Sequence, residues 1–328
     1  MARKAEARIE SSDEGRRLVD WLERRFTYLD AAGWERAIEA GRLLVDGERS
    51  EAGRVLRTGE IVSFDTGDEP EPEVDSRYEV LHADQDFLVL DKPPLLPCHP
   101  GGRFFDNSLS RLLAGRYGWV HIATRLDRET SGLVLACRTR VAAAHIQAES
   151  DAGRMRKTYY ALVHGEFPSS ARAEGFLSRD LESLVRKKRR FTEERPDQPC
   201  ESCATNFALV HRGANAAGGA FAADGASAAG GVLSLVRCLP ETGRSHQIRA
   251  SLLALGFPIL GDKLYGTDEG AFLRFCEGGL TAEDEARLGL PFQALHCGEL
   301  SFVDREGRSR RYSAPPPSAW PAFARARA

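Results

Sequence analysis

The feature that most limits the fold is a series of short apolar runs between residues 78 and 165, separated by turn-forming residues. Tyr78-Glu79-Val80-Leu81 and Phe87-Leu88-Val89-Leu90 flank the polar turn His82-Ala83-Asp84-Gln85-Asp86. Gly132 to Cys137 is apolar throughout, and Lys157 to Gly165 alternates. Runs of this length and pattern are strands. Helical periodicity fits from about Val141 to Ala152, and again from Arg244 to Leu255, where Gly256 stops it. Long strands with few helices between them do not fit the βαβ order of nucleotide-binding folds. They predict an α+β chain built on a large mixed, mainly antiparallel sheet flanked by helices and loops.

A smaller α+β unit is expected ahead of this sheet, over residues 14–66, joined by an acidic linker over 67–77; the sheet-bearing domain is expected over 78–320. Gly67 to Asp75 reads GDEPEPEVD, with prolines and no apolar periodicity. In the smaller unit, Leu18, Val19, Leu22 and Phe26 share one face of a helix, and Trp34 to Ala40 forms a second that Gly41 ends. Leu43-Leu44-Val45, a turn at Asp46-Gly47, and Ile61-Val62-Ser63-Phe64 follow as short strands. This order, with the phrases AIEAGRLLVDGE and LRTGEIVSF, resembles the S-four-like RNA-binding domain named after a ribosomal protein. The resemblance implies that basic residues on the helix pair contact RNA phosphate. The segment holds nine arginines against eleven Asp and Glu. Gly213 to Gly231 is too rich in Gly and Ala to hold a packed core, and is expected to be a flexible loop between the strands TNFALV and VLSLVRCL.

Bulk properties exclude some classes. No run of eighteen apolar residues is present, and the N-terminus lacks a secretory apolar stretch, so a cytoplasmic protein with no membrane span is expected. Seven scattered cysteines point to reduced thiols. Cys200-Glu201-Ser202-Cys203 has neither a second pair nor a spaced histidine, so no metal is expected. Phosphate-binding loops of the G-x-x-x-x-G-K-S/T and strand-linked G-x-G-x-x-G types are absent. The net charge of −3 speaks weakly against nucleic acid, but RKKRR at 186–190 and four arginines over 305–311 are local basic runs. Each is either solvated surface or a phosphate footprint.

The candidate chemistry lies in Ala123-Thr124-Arg125-Leu126-Asp127-Arg128-Glu129-Thr130-Ser131-Gly132, a charge-dense loop that runs straight into the apolar strand after it. A loop fixed to a buried strand holds a reactive side chain well. Nearby arginines favour the ionised form of Asp127. On spacing alone, a catalytic loop and a surface turn of self-compensating charges are equally good readings.

Three further segments accompany the loop in order: LDKPPLLPCHPGG before it, then Lys157-Thr158-Tyr159-Tyr160-Ala161-Leu162-Val163-His164-Gly165, then Thr242-Gly243-Arg244-Ser245-His246-Gln247-Ile248-Arg249 continuing into LLALGFPILGDKLYG. With RLDRETSGL, these resemble the RluA-type pseudouridine synthases. The resemblance covers roughly residues 78–315. It implies that Asp127 is the aspartate that attacks or deprotonates the target nucleoside, that Tyr159 packs on the target base and handles protons, and that Arg249 pairs with Asp127. It further implies that Arg125 fills the stack vacated by the uridine, and that Leu126 and Ile248 are apolar walls. Thr124 stands where the family usually has histidine. The implied reaction moves the base from nitrogen to carbon attachment with no redox change, so no cofactor is expected. The expected partner is RNA, ribosomal RNA first and transfer RNA second. Two other readings are a non-catalytic RNA-binding or ribosome-assembly factor on the same fold, and a hydrolase using Asp127. Against the first stand intact Asp127, Tyr159 and Arg249; against the second, the absence of a second carboxylate fixed by any motif.

Overall fold

The computed structural model describes residues 4–26, 29, 31–65, 71–214, 231–266, 268–326 and 328. Contacts divide the chain into two compact units, one of residues 1–72 with 101–105 and 184–186, the other holding the remainder.

The first unit carries strands β1 (Lys4–Arg8), β2 (Leu43–Val45), β3 (Glu48–Arg49) and β4 (Ile61–Asp65), and helices α1 (Leu18–Arg25) and α2 (Ala31–Glu39). The sheet order is β1-β4-β2-β3, all antiparallel. Asp46 and Gly47 connect β2 to β3 with positive φ at both positions, 51° and 84°, the two-residue hairpin turn that Asp-Gly favours. Leu18, Val19, Trp21 and Leu22 of α1 pack with Trp34, Ala37 and Ile38 of α2 over Leu43, Val45, Val62 and Phe64 of the sheet. The strand β1 is an addition to the sequence reading. Its KAEAR sequence carries only alanines as apolar residues, and pairing with β4 makes it a strand.

The second unit is an 11-stranded sheet of strands β5 (Glu79–Ala83), β6 (Phe87–Lys92), β7 (His121–Ile122), β8 (Ser131–Cys137), β9 (Arg156–His164), β10 (Ser170–Arg179), β11 (Arg189–Thr192), β12 (Cys200–Ala214), β13 (Val232–Pro240), β14 (Leu295–Val303) and β15 (Ser309–Ser313). Its order is β11-β10-β12-β13-β9-β14-β8-β6-β5, with β15 added to β14 and β7 to β8. Among the described residues, only the β14–β8 pairing is parallel. Helices α3 (Leu109–Tyr117), α4 (Arg140–Asp151), α5 (Gln247–Ala254), α6 (Gly270–Glu277), α7 (Ala282–Leu288) and α8 (Ala322–Arg325) complete it. The expected mixed, mainly antiparallel sheet is therefore what forms. Every residue of β8 is buried, which explains its unbroken apolar sequence.

One sequence expectation changes. The helix foreseen from Arg244 starts at Gln247, because Gln247 folds back and its side-chain oxygen accepts from Thr242 Oγ1 at 2.8 Å and Arg244 N at 3.0 Å. His246 then enters the helix at φ 58°, a left-handed position that strains a non-glycine residue. The Gly- and Ala-rich loop falls, over 215–230, outside the described residues; the strands on either side pair directly, Ala214 with Val232.

The basic runs are largely neutralised. Arg308 and Arg310 both reach Asp304, at 2.9 and 2.8 Å, and Arg305 reaches Asp86. Lys188 pairs with Glu269 at 2.8 Å and Arg190 with Glu182 at 3.1 Å.

Candidate active site

The loop before β8 is fixed at nearly every residue. Thr124 is buried, and its hydroxyl accepts from Leu135 N at 2.8 Å, so the threonine in place of histidine ties the loop to β8. The Leu126 amide reaches Cys98 Sγ at 3.3 Å. Lys92, fully buried, donates to the carbonyls of Pro93, Leu96 and Arg128 at 2.9, 2.9 and 3.2 Å, joining the lysine-proline segment to the loop. Burial pushes its ammonium down to about 8. Glu129 pairs with buried Lys263 at 2.6 Å, Thr130 accepts from Gln293 at 2.6 Å, and Ser131 meets His296 Nδ1 at 2.9 Å. At Gly132, φ is 105° and a Cβ would lie 2.3 Å from the Cys297 carbonyl oxygen, so the close β8–β14 approach admits glycine alone.

This scaffold delivers Asp127 to a cleft of about 170 Å³ lined by Arg125, Leu126, Asp127, Tyr159, Ile248 and Arg249 among others. All six residues singled out from the sequence thus face one space. Arg249 Nη1 donates to Asp127 Oδ2 at 2.7 Å. Its Nε and Nη2 grip Asp262 at 2.7 and 2.9 Å, and its guanidinium lies 4.7 Å from the Tyr265 ring centroid. Asp262, 1% exposed, also accepts from the amides of Leu264 and Tyr265. A guanidinium offers a planar fork, and here one edge is spent on an anchor while the remaining nitrogen addresses the cleft.

Electrostatics follow from this geometry. Burial pushes the Asp127 pKa up, but the positive charges around it and the Arg249 hydrogen bond outweigh that, holding the carboxyl well below the usual carboxylate range. His246 lies 3.8 Å away, but burial pushes it down to about 4, so near neutral pH it is uncharged. Arg249 and Lys187 are then the cations that keep Asp127 ionised. Tyr265 OH accepts from Arg189 N at 2.8 Å and shares a hydrogen bond with His246 Nδ1, 2.9 Å away, which turns His246 Nε2 toward Asp127. Tyr159 is buried, and burial, with Cys297 and Asp127 beside it, raises its phenol well above the ordinary value, so the hydroxyl stays protonated.

Asp262, Tyr265, His246, Lys92 and Lys187 were not assigned roles from the sequence. The one signal for Asp262 and Tyr265 was their place in GDKLYG, behind the Arg249 helix. Cys200 and Cys203 lie on one strand at an odd spacing and so point to opposite faces. Among the described residues no three His, Cys, Asp or Glu side chains form a group that could hold a metal, and no helix is long and apolar enough to cross a membrane.

The chain belongs to the RNA pseudouridylate synthase family, the isomerases that convert uridine in RNA to pseudouridine; the family model matches residues 86–254, just over half of the 328. It is 33% identical over 258 residues to the mitochondrial tRNA pseudouridine(32) synthase of Saccharomyces cerevisiae, covering 77% of this chain and 51% of that protein, about half its length. It is 31% identical over 330 residues to ribosomal large subunit pseudouridine synthase D of Xanthomonas campestris, covering 95% of this chain and 89% of the relative. Among solved structures, human RNA pseudouridylate synthase domain containing 1 shares the fold, with a TM-score of 0.57 at 20% identity over 76% of this chain and 87% of that one.

Proposed function

We propose that this chain isomerises uridine in structured RNA, ribosomal RNA before transfer RNA, with Asp127 as the reacting carboxylate. The observation that carries the reading is the Asp127–Arg249–Asp262 chain, which keeps one carboxylate ionised at the cleft and fixes its direction. The N1–C1′ bond of the nucleoside breaks, the base turns, a C5–C1′ bond forms, the C5 proton leaves and N1 is protonated. Electrons balance within the substrate, so no redox cofactor is needed. Asp127 attacks or deprotonates the nucleoside. Tyr159, a protonated phenol in the cleft wall, packs on the base and handles protons. Leu126 and Ile248, 8% and 7% exposed, are the apolar walls, and Arg249 orients Asp127. Ribosomal RNA is favoured because the relative whose name carries that substrate spans 95% of this chain, against 77% for the transfer-RNA one. The compartment we infer is the cytoplasm, in keeping with seven free thiols. Mapping pseudouridines in RNA from cells with and without the protein tests the substrate: a missing site in ribosomal RNA is expected, and a loss confined to transfer RNA would reverse the order.

Arg125 is exposed at the cleft and is assigned to the space the uridine leaves. Extracting a base costs a few kcal/mol of stacking and pairing, and a planar guanidinium refills that gap better than an ammonium. Arg125→Lys should therefore lose more activity on a structured stem-loop than on a short flexible RNA with the same uridine. Equal losses would remove the wedge role.

We infer that the N-terminal unit, with its helix pair on a four-stranded sheet, is an RNA-binding domain of the S-four type. Removing residues 1–70 should weaken RNA binding more than it slows chemistry in the bound state, and flatten the salt dependence of binding. Unchanged binding at every salt concentration would contradict this.

A further inference from the structure

We propose that Trp119, with His121 and Arg140 beside it, is a stacking site for a base of the bound RNA outside the catalytic cleft. The proposal rests on the reading of the chain as an RNA isomerase and adds a second contact to it.

The starting point is a charge asymmetry. Residues 107–126 contain three arginines and a histidine and no Asp or Glu, in a chain whose net charge is −3. Helix α3 ends at Tyr117, and Gly118, at φ 74°, turns the chain so that Trp119 precedes β7. Trp119 is 47% exposed, whereas Trp21, Trp34 and Trp320 are at most 2% exposed. An exposed indole carries a large unburied apolar face.

Its surroundings define what fits there. The His121 ring lies parallel to the indole within 14°, centroids 6.5 Å apart, and the Arg140 guanidinium sits 5.7 Å from the indole centroid. Arg116 and Arg138 lie 5.1 and 5.6 Å from the Tyr117 ring centroid. Elsewhere arginines are tied to carboxylates, as Arg274 and Arg287 are to Asp284. Among the described residues Arg116, Arg125 and Arg140 have no carboxylate partner. A protein-docking patch would carry apolar neighbours, but over residues 107–126 Trp119 is the one large exposed apolar side chain. An aromatic face among uncompensated cations is the surface on which a base stacks while its phosphates are neutralised.

The platform leads to the cleft. Arg125 lies six positions after Trp119, a reach of at most about 20 Å for extended chain. Burial first, then the positive charges of Arg125 and His121, hold the His99 pKa below the ordinary value. A stacked strand advances about 3.4 Å per nucleotide, so the stacked base lies within on the order of six nucleotides of the target uridine.

The test uses the full chain. Titrating the intrinsic fluorescence with uridine-free oligoadenylate of about twelve nucleotides should quench the wild type, and the quench should vanish in Trp119→Ala. On RNA with long flanks, Trp119→Ala should raise KM about ten-fold with kcat unchanged, and Trp119→Phe should recover most of that loss. Equal KM values on the long RNA, a fall in kcat alone, or a quench that persists without Trp119 would overturn the platform. Wild type without turnover on any uridine-containing RNA would overturn the isomerase reading instead, and the fluorescence titration would still decide the platform.

Discussion

Asp127→Asn should lower isomerisation by more than about 10³-fold, near the upper part of what a positioned acid or base contributes, while RNA affinity stays close to that of the wild type. The amide keeps the shape of the carboxylate but can neither attack nor accept a proton. The scaffold should survive the change, because Arg249 remains locked by two bonds to Asp262 and the loop remains fixed through Lys92, Thr124 and Glu129. Single-turnover rates with saturating enzyme, beside a binding isotherm, separate the two effects. Measurable turnover above contaminating activity in the variant would remove Asp127 from the chemistry.

Asp262→Ala should be costly in a different way. Its carboxylate is 1% exposed, takes Nε and Nη2 of Arg249 and accepts two backbone amides. Removing one partner of a buried ion pair leaves the other charge stranded, a loss of about 3–5 kcal/mol. Urea denaturation should show a loss of that size, whereas Asp127→Asn, at the cleft wall, should lose far less. Activity should fall with it, because Arg249 loses the anchor that aims its third nitrogen at Asp127. A variant within about 1 kcal/mol of wild-type stability, or one that is unstable but turns over normally, would contradict the anchoring role of Asp262.

Much of both units is legible because the signals are local. The apolar run of β8, the alternation of β9 and the Asp46-Gly47 turn each carry their own instructions within a few residues. The edge strand β11, RRFT, does not; its charged residues become a strand only by pairing with β10. The first turn of the α5 region was misjudged for a similar reason, since Gln247 competes for Thr242 and the Arg244 amide where periodicity alone suggests continued helix. At the site, the six residues named from motifs do share a cleft, but what holds them was largely hidden. Lys92 is buried on three carbonyls distributed over 36 residues of chain. Asp262 lies 13 residues from Arg249, and nothing in their spacing shows that they meet. Long-range polar pairing of this kind leaves no periodic trace in a sequence.

The central claim is that the Asp127 cleft converts uridine to pseudouridine, and the hydrogen on carbon 5 reports it directly. That hydrogen must leave when carbon 5 bonds to the ribose, and no hydrolysis or binding event releases it. The purified full chain, given RNA transcribed with carbon-5-tritiated uridine, should release tritium to water in the presence of excess chelator, and the Asp127→Asn chain should not. Intact tritium in RNA that the wild-type protein binds would contradict the account.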